Sequence, residues 1–261
     1  MTSRLASAFT ERAGSCGLIP YLTAGYPSLD DSLAMMRAFE RAGAMAIEVG
    51  VPFSDPIADG PDIQRASEWA VRGGVGAAES IELVRSYRRD GRLPVVLMTY
   101  ANPILRLGID AFASSAREAG VDGVLVSDLP IDELPEVWEA FDREGIDTVV
   151  LIAPTTARDR LPALLARCRG FVYCLARTGV TGGGAGESGG LEDRIAEIRA
   201  RTKLPIAIGF GISTAEHARA MASRAEAIVV GAAFMRKVTE DTTKGVVDRV
   251  TVLARDLVGA L

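Results

Sequence analysis

Two nearby carboxylates, Glu48 and Asp59, carry the strongest chemical signal in the chain. Glu48 interrupts the apolar run Met45-Ala46-Ile47-Glu48-Val49-Gly50. Burial among such neighbours disfavours the charged carboxylate and raises its pKa, which suits a group that gives and takes protons near neutrality. A structural glutamate, paired with an arginine at a helix interface, fits the same run. Asp59 ends a segment stiffened by proline; taken alone it is a turn residue ahead of Gly60. As a pair, the two acids allow one group to move protons while the other stays charged.

Glycine marks the other candidate positions. Residues 178–190 are too rich in glycine to hold one conformation unaided. A connection of that kind in a compact domain is a functional lid or a disordered loop; the lid is favoured here, with Arg177 and Thr181 placed to grip a ligand or neighbouring loops. Gly209-Phe210-Gly211-Ile212-Ser213 and Gly231-Ala232-Ala233-Phe234 each stand between an apolar run and a helical pattern. Glycine lets the backbone approach an anion, and a helix N-terminus favours negative charge. Each is also a tight strand-to-helix turn, but two in succession point to phosphate. Tyr173 belongs either to the core or to a cavity mouth. His217, the only histidine, lies in a helical pattern, so a histidine-based nucleophile relay is not expected. No His/Cys/carboxylate spacing suits zinc, and no GxGxxG follows the first apolar run.

These residues need a scaffold that gathers them, and the pattern of apolar runs supplies one. Short, nearly continuous runs at 18–23, 45–50, 94–99, 123–127, 147–152, 171–175, 205–209 and 227–231 predict strands buried on both faces. Helical patterns are predicted at 28–42, 110–119, 132–144, 158–167, 191–201, 213–222 and 234–257. The segment 28–42 opens on Ser28 and Asp30 as cap candidates and ends at Gly43, and Ser213 is a start signal for 213–222. Repeated strand–helix units imply parallel pairing through right-handed crossovers. At this length, eight units close most naturally into a (β/α)8 TIM barrel spanning 1–261 as a single domain; an open doubly wound sheet is the alternative. An amphipathic start at 2–13, with Leu5, Ala8 and Phe9 at helical spacing, predicts an extra N-terminal helix covering the barrel bottom. In such barrels the chemistry gathers at the C-terminal ends of the strands, where Glu48, Asp59 and both glycine turns fall.

The 261 residues are 48% hydrophobic and 24% charged with a net charge of −5, so a sizeable soluble core is expected and a basic nucleic-acid face is not. Positive charge is nearly all arginine, the lysines being Lys203, Lys237 and Lys244. Cys16, Cys168 and Cys174 form neither a disulfide framework nor a metal site. No secretory signal and no membrane span is expected, and a cytoplasmic location is.

The segment Pro52-Phe53-Ser54-Asp55-Pro56-Ile57-Ala58-Asp59-Gly60-Pro61 resembles the signature of the tryptophan synthase alpha-subunit family. Tyr100-Ala101-Asn102-Pro103, Gly179-Val180-Thr181-Gly182 and Gly209-Phe210-Gly211-Ile212-Ser213 resemble it too, in order and over most of the chain. The resemblance implies a lyase that splits indole-3-glycerol phosphate into indole and glyceraldehyde 3-phosphate. Glu48 and Asp59 would be its catalytic acids and Tyr173 a substrate-site tyrosine. Gly182, Gly211, Gly231 and Ala232 would hold the substrate phosphate, and Tyr21, Met98, Tyr100, Leu125 and Phe210 would line the indole pocket. The loop at Asp55 and Pro56 would meet a beta subunit in an alpha-beta-beta-alpha heterotetramer. No metal or organic cofactor is implied in this chain; pyridoxal phosphate would belong to the beta subunit. The pattern departs at Ala232, where the family commonly has serine. A hydrogen bond to a charged group is worth about 1.5–3 kcal/mol, so weaker phosphate binding is expected, carried by the remaining amide. Rival readings are another phosphate-binding barrel such as a phosphoribosyl isomerase, a stand-alone indole-releasing lyase, and a subunit that mainly regulates its partner.

Overall fold

The computed structural model describes residues 3–176, 189–209, 211–240 and 245–261. Nine strand segments among them are β1 (Gly17–Thr23), β2 (Ile47–Gly50), β3 (Val95–Thr99), β4 (Gly123–Val126), β5 (Asp147–Thr148), β6 (Val150–Ile152), β7 (Val172–Leu175), β8 (Ile206–Gly209) and β9 (Ala227–Val230). All neighbours pair in parallel, in the order β5-β4-β3-β2-β1-β9-β8-β7-β6. The two ends of that order are consecutive in sequence. The strand predicted at 147–152 is broken at Val149: its first half pairs with β4 and its second with β7. Val149 N–H donates to the Val124 carbonyl at 2.9 Å, so the ring closes through the break. The doubly wound alternative is thereby set aside, and the fold is a TIM barrel.

The helices are α1 (Arg4–Glu11), α2 (Leu29–Arg41), α3 (Pro61–Arg72), α4 (Ala77–Tyr87), α5 (Ala101–Leu107), α6 (Ile109–Ala119), α7 (Pro135–Glu144), α8 (Leu161–Arg167), α9 (Gly189–Arg199), α10 (Ala215–Ala222), α11 (Ala232–Thr239) and α12 (Val246–Val258). In α2 the Ser28 hydroxyl accepts from the Asp31 amide, while Asp30 lies in the first turn. The chain leaves α2 through Gly43, in the left-handed region at φ 93°. The cap of α10 is Thr214, which accepts from His217 N–H, and not Ser213. The helix predicted at 234–257 is two helices, α11 and α12. No helix is predicted between the second and third strands, yet α3 and α4 lie there. The start of α3 carries proline at its first helical position, which locks φ where the helix needs it. Its buried face is only Ala66, Ser67 and Ala70, too small to show as an apolar stripe.

Inside the ring, inward residues stack in layers. Ile19, Ala46, Val96, Val149, Phe171, Ala207 and Ala227 belong to one buried cluster. Leu5 and Phe9 of α1 join it: the Phe9 and Phe171 rings lie 5.6 Å apart, and Leu5 fills the space against Gly123 at the start of β4. That seats α1 at the N-terminal ends of the strands. The opposite end is left for the loops that carry the site. Among the described residues no helix is long and apolar enough to cross a membrane.

Candidate active site

The next inward layer is the floor of a cavity of about 190 Å3. Tyr21 of β1, Glu48 of β2, Met98 of β3, Leu125 of β4, Leu151 of β6, Tyr173 of β7 and Val229 of β9 all line it. Register produces this convergence. Tyr21 pairs with Glu48, Met98 with Leu125, and Leu151 with Tyr173, so residues from strands far apart in sequence reach one height. Gly50 and Gly209 complete it: a β-carbon at either would strike the hydroxyl end of Tyr21 or of Tyr173. Both rings need those glycines to turn toward the cavity.

Glu48 is 2% exposed. Burial, and secondarily the negative charge of Asp59, pushes its carboxyl up to about 8. Asp59, 7% exposed, arrives on the loop between β2 and α3. Burial raises it to about 6, while a hydrogen bond from Tyr100 pulls the other way. Tyr100 Oη donates to Asp59 Oδ2 at 2.9 Å and accepts from Ala58 N–H at 3.1 Å. Further contacts fix the loop. Gln64 Nε2 donates to the Asp59 carbonyl at 3.0 Å. Ser67 Oγ both donates to the Phe53 carbonyl and accepts from Phe53 N–H, each at 2.8 Å. The Phe53 and Tyr100 rings lie 5.3 Å apart. The loop thus presents Asp59 from a fixed backbone. Two acids raised to different values face one largely apolar cavity: near neutral pH, Glu48 keeps its proton while Asp59 is charged.

The far wall contains Gly211, Ile212, Ser213, Gly231, Ala232 and Arg236. Gly211 sits at φ 83°, a conformation that side-chain-bearing residues rarely adopt. Gly231 caps α11, so the first amides of that helix, beginning with Ala232, open toward the cavity. A β-carbon at Gly231 would crowd Ile63 and Tyr21.

The structure therefore brings Glu48, Asp59, Tyr173, Tyr21, Met98, Leu125, Gly211, Gly231 and Ala232 to one cavity. Tyr100 is not in its wall; it is buried behind Asp59 and holds it. Gly182, Phe210, Arg177 and Thr181 lie outside the described residues. Sequence reasoning missed Ile63, Leu151, Val229 and Arg236. Leu151 and Val229 were legible as two-residue steps along their predicted strands. Ile63 and Arg236 depend on helix starts at Pro61 and Ala232, whereas the sequence predicts no helix at the first and a start at 234 for the second. His217 is exposed on α10 and is not among the residues that line the cavity. Among the described residues no group of His, Cys, Asp or Glu is arranged to hold a metal ion.

Fold and cavity together define a (β/α)8 barrel of the enzyme kind, with a carboxylate-lined cavity at the C-terminal mouth of its strands. Comparison with known proteins places it more narrowly. The family described as Tryptophan synthase alpha chain matches residues 8–260. A tryptophan synthase alpha chain from Chromobacterium violaceum is 44% identical over 260 residues, covering 99% of each chain. One from Bordetella parapertussis is 45% identical over 234 residues, 88% of this chain and 82% of the relative. The solved structure of tryptophan synthase subunit alpha from Legionella pneumophila superposes with a TM-score of 0.91 at 32% identity, covering 100% of this chain and 98% of that one. The chain belongs to the tryptophan synthase alpha-chain family. That family's alpha chain is a carbon–carbon lyase of tryptophan biosynthesis, which cleaves indole-3-glycerol phosphate.

Proposed function

We propose that the cavity of this single-domain barrel performs the alpha reaction of the family, the retro-aldol cleavage of indole-3-glycerol phosphate to indole and glyceraldehyde 3-phosphate, with Glu48 and Asp59 in the catalytic roles. One observation carries the reading: two buried carboxylates of unequal proton affinity share a cavity with the amides at the head of α11. Protonated Glu48 delivers its proton to C3 of the indole ring, leaving the ring cationic. Ionised Asp59 stabilises that charge near the ring nitrogen. The side-chain hydroxyl next to the ring then loses its proton to the Glu48 carboxylate. Its electrons form the aldehyde carbonyl, the carbon–carbon bond breaks, and that bond's electron pair returns to the ring. Glu48 ends protonated, as it began, so the cycle balances. Tyr173 borders the reacting atoms; Tyr21, Met98, Leu125 and Phe210 shape the indole pocket; Tyr100 positions Asp59. Gly182, Gly211, Gly231 and Ala232 hold the phosphate, which orients the substrate far from the breaking bond. Arg177 and Thr181, expected to flank a lid over 179–190, lie outside the described residues.

This half-reaction calls for no metal or organic cofactor in the chain. The enzyme works in the cytoplasm with a beta subunit that carries pyridoxal phosphate, in an alpha-beta-beta-alpha assembly that receives the indole. The loop of Asp55 and Pro56 supports the partner assignment, since it raises Ile57 into solvent at 82% exposure. Purified chain assayed for indole release, with and without a beta subunit, tests the reading. Release that increases with the partner is expected. No release in either condition overturns the lyase assignment, and release indifferent to the partner overturns the assembly.

A further inference from the structure

Arg236 lines the cavity beside Gly211, Gly231 and Ala232, and the mechanism above leaves it unused. It sits one helical turn after Ala232 in α11. Helical side chains tilt back toward the N-terminus, so its guanidinium reaches toward the amides at the head of the helix. There it meets Asp62, in the first turn of α3: Arg236 Nη1 donates to Asp62 Oδ2 at 2.6 Å. Asp62 also pairs with Arg65. One carboxylate thus faces two guanidiniums, of which only that of Arg236 lines the cavity. Ala232, at the first position of α11, offers an amide and no hydroxyl.

We propose that Arg236 is a phosphate-binding residue of this site, turning from Asp62 toward the phosphate that the Gly231 and Ala232 amides hold. The proposal rests on the phosphate reading given above and adds to it the side chain that supplies charge. Guanidinium keeps its charge at any working pH, and its planar fork matches phosphate oxygens. The exchange costs little. Asp62 retains Arg65, and the Arg236 side chain, at 47% exposure, has room to move. The contrary role is a brace: the Arg236–Asp62 pair ties α11 to the start of α3 and so indirectly to Asp59, and phosphate never touches it.

The two roles part in Arg236→Gln, Arg236→Lys and Asp62→Asn, each assayed as the complex with a beta subunit. Indole release gives kcat and KM, and calorimetric titration of inorganic phosphate gives an affinity independent of turnover. Indole release by the unmutated protein tests the lyase reading alone. For Arg236→Gln, KM and the phosphate Kd are expected to rise together by about tenfold to a hundredfold, the range for losing a charge-assisted hydrogen bond, with kcat nearly unchanged. Arg236→Lys should fall between. Asp62→Asn, which removes the competitor, should leave phosphate affinity equal or tighter. If Arg236→Gln leaves both KM and phosphate affinity unchanged, the proposal fails even though the lyase reading stands. It fails as well if Arg236→Gln and Asp62→Asn lower kcat alike without moving phosphate affinity, since that is the behaviour of a brace.

Discussion

One wall of the cavity presents two buried carboxylates, and the other presents backbone amides with the Arg236 guanidinium at its edge. On the first, burial has raised the proton affinities of Glu48 and Asp59 to different values, and the proposed mechanism depends on that difference. On the second, Gly211, Gly231 and Ala232 matter through conformation and through amides that almost any small residue supplies. On the proposed mechanism such a site is intolerant of change at the two carboxylates and forgiving at the position of Ala232, which contributes only an amide. That is how Ala232 can occupy the head of α11 without dissolving the site. The contrast fails if substitutions on the two walls cost the same.

The largest effect is expected from Glu48→Gln, which preserves shape and removes the titrating group. Loss of one acid–base residue lowers kcat by about 10²–10⁴-fold. The substitution should also stabilise the fold, with a definite pH dependence. The folded-state value of Glu48 is raised from 4.5 to about 8, so the fold tolerates the neutral carboxyl and resists the charged one. Wild-type stability from this group is full below 4.5 and is lost as pH rises through about 8. Calorimetry should therefore show Glu48→Gln melting above wild type at pH 8, with the two converging toward pH 4.5. Retained indole release would remove Glu48 from the scheme, and a variant that melts lower at every pH would overturn the raised proton affinity of the buried carboxyl.

An intermediate effect is expected where the two carboxylates are kept apart in proton affinity. In the wild type kcat/KM should rise through about 6 as Asp59 ionises and fall through about 8 as Glu48 loses its proton. Each limb belongs to the pair, because the charge on Asp59 helps raise Glu48. Tyr100→Phe deletes the hydroxyl that favours ionised Asp59. The acid limb should move above 6 and kcat/KM should fall about tenfold near neutrality, as for a lost hydrogen bond to a charged group. An unmoved acid limb would mean that the phenol only packs against Phe53 and does not poise the aspartate.

The same division explains which parts of the molecule the sequence disclosed. Strands buried on both faces read as continuous apolar runs, and a glutamate within one of them stands out at once. Register then does the assembly: Tyr21 opposite Glu48 and Leu151 opposite Tyr173 follow once parallel neighbours are known. Three things were illegible for physical reasons. The break at Val149 leaves an unbroken apolar run, because both halves are still buried and only their pairing partners change. Helix α3 buries alanine and serine, which make no stripe. Tyr100 looks like an indole-facing aromatic until its hydroxyl is seen on Asp59, a contact set by how the loop packs rather than by residue type. The two acids were readable because their chemistry is written in their own side chains; their support was not, because it comes from elsewhere in the chain.

The smallest effect should come from the position of Ala232. Ala232→Ser adds a hydroxyl at the first position of α11, beside amides already facing the cavity, without enlarging the backbone or disturbing Gly231. A new hydrogen bond to phosphate should lower KM by at most about tenfold, since part of its value is lost in displacing water from the same oxygens. Turnover should change little, because a contact to a phosphate remote from the breaking bond counts as uniform binding, which does not raise kcat. A changed kcat with constant KM would show that the head of α11 acts on the reacting atoms, and the two walls would no longer be separable by role. An unchanged KM and kcat would place the phosphate away from Ala232 and shift the anion site toward Gly211 and Ser213, whose hydroxyl already lies 3.4 Å from His217 Nδ1.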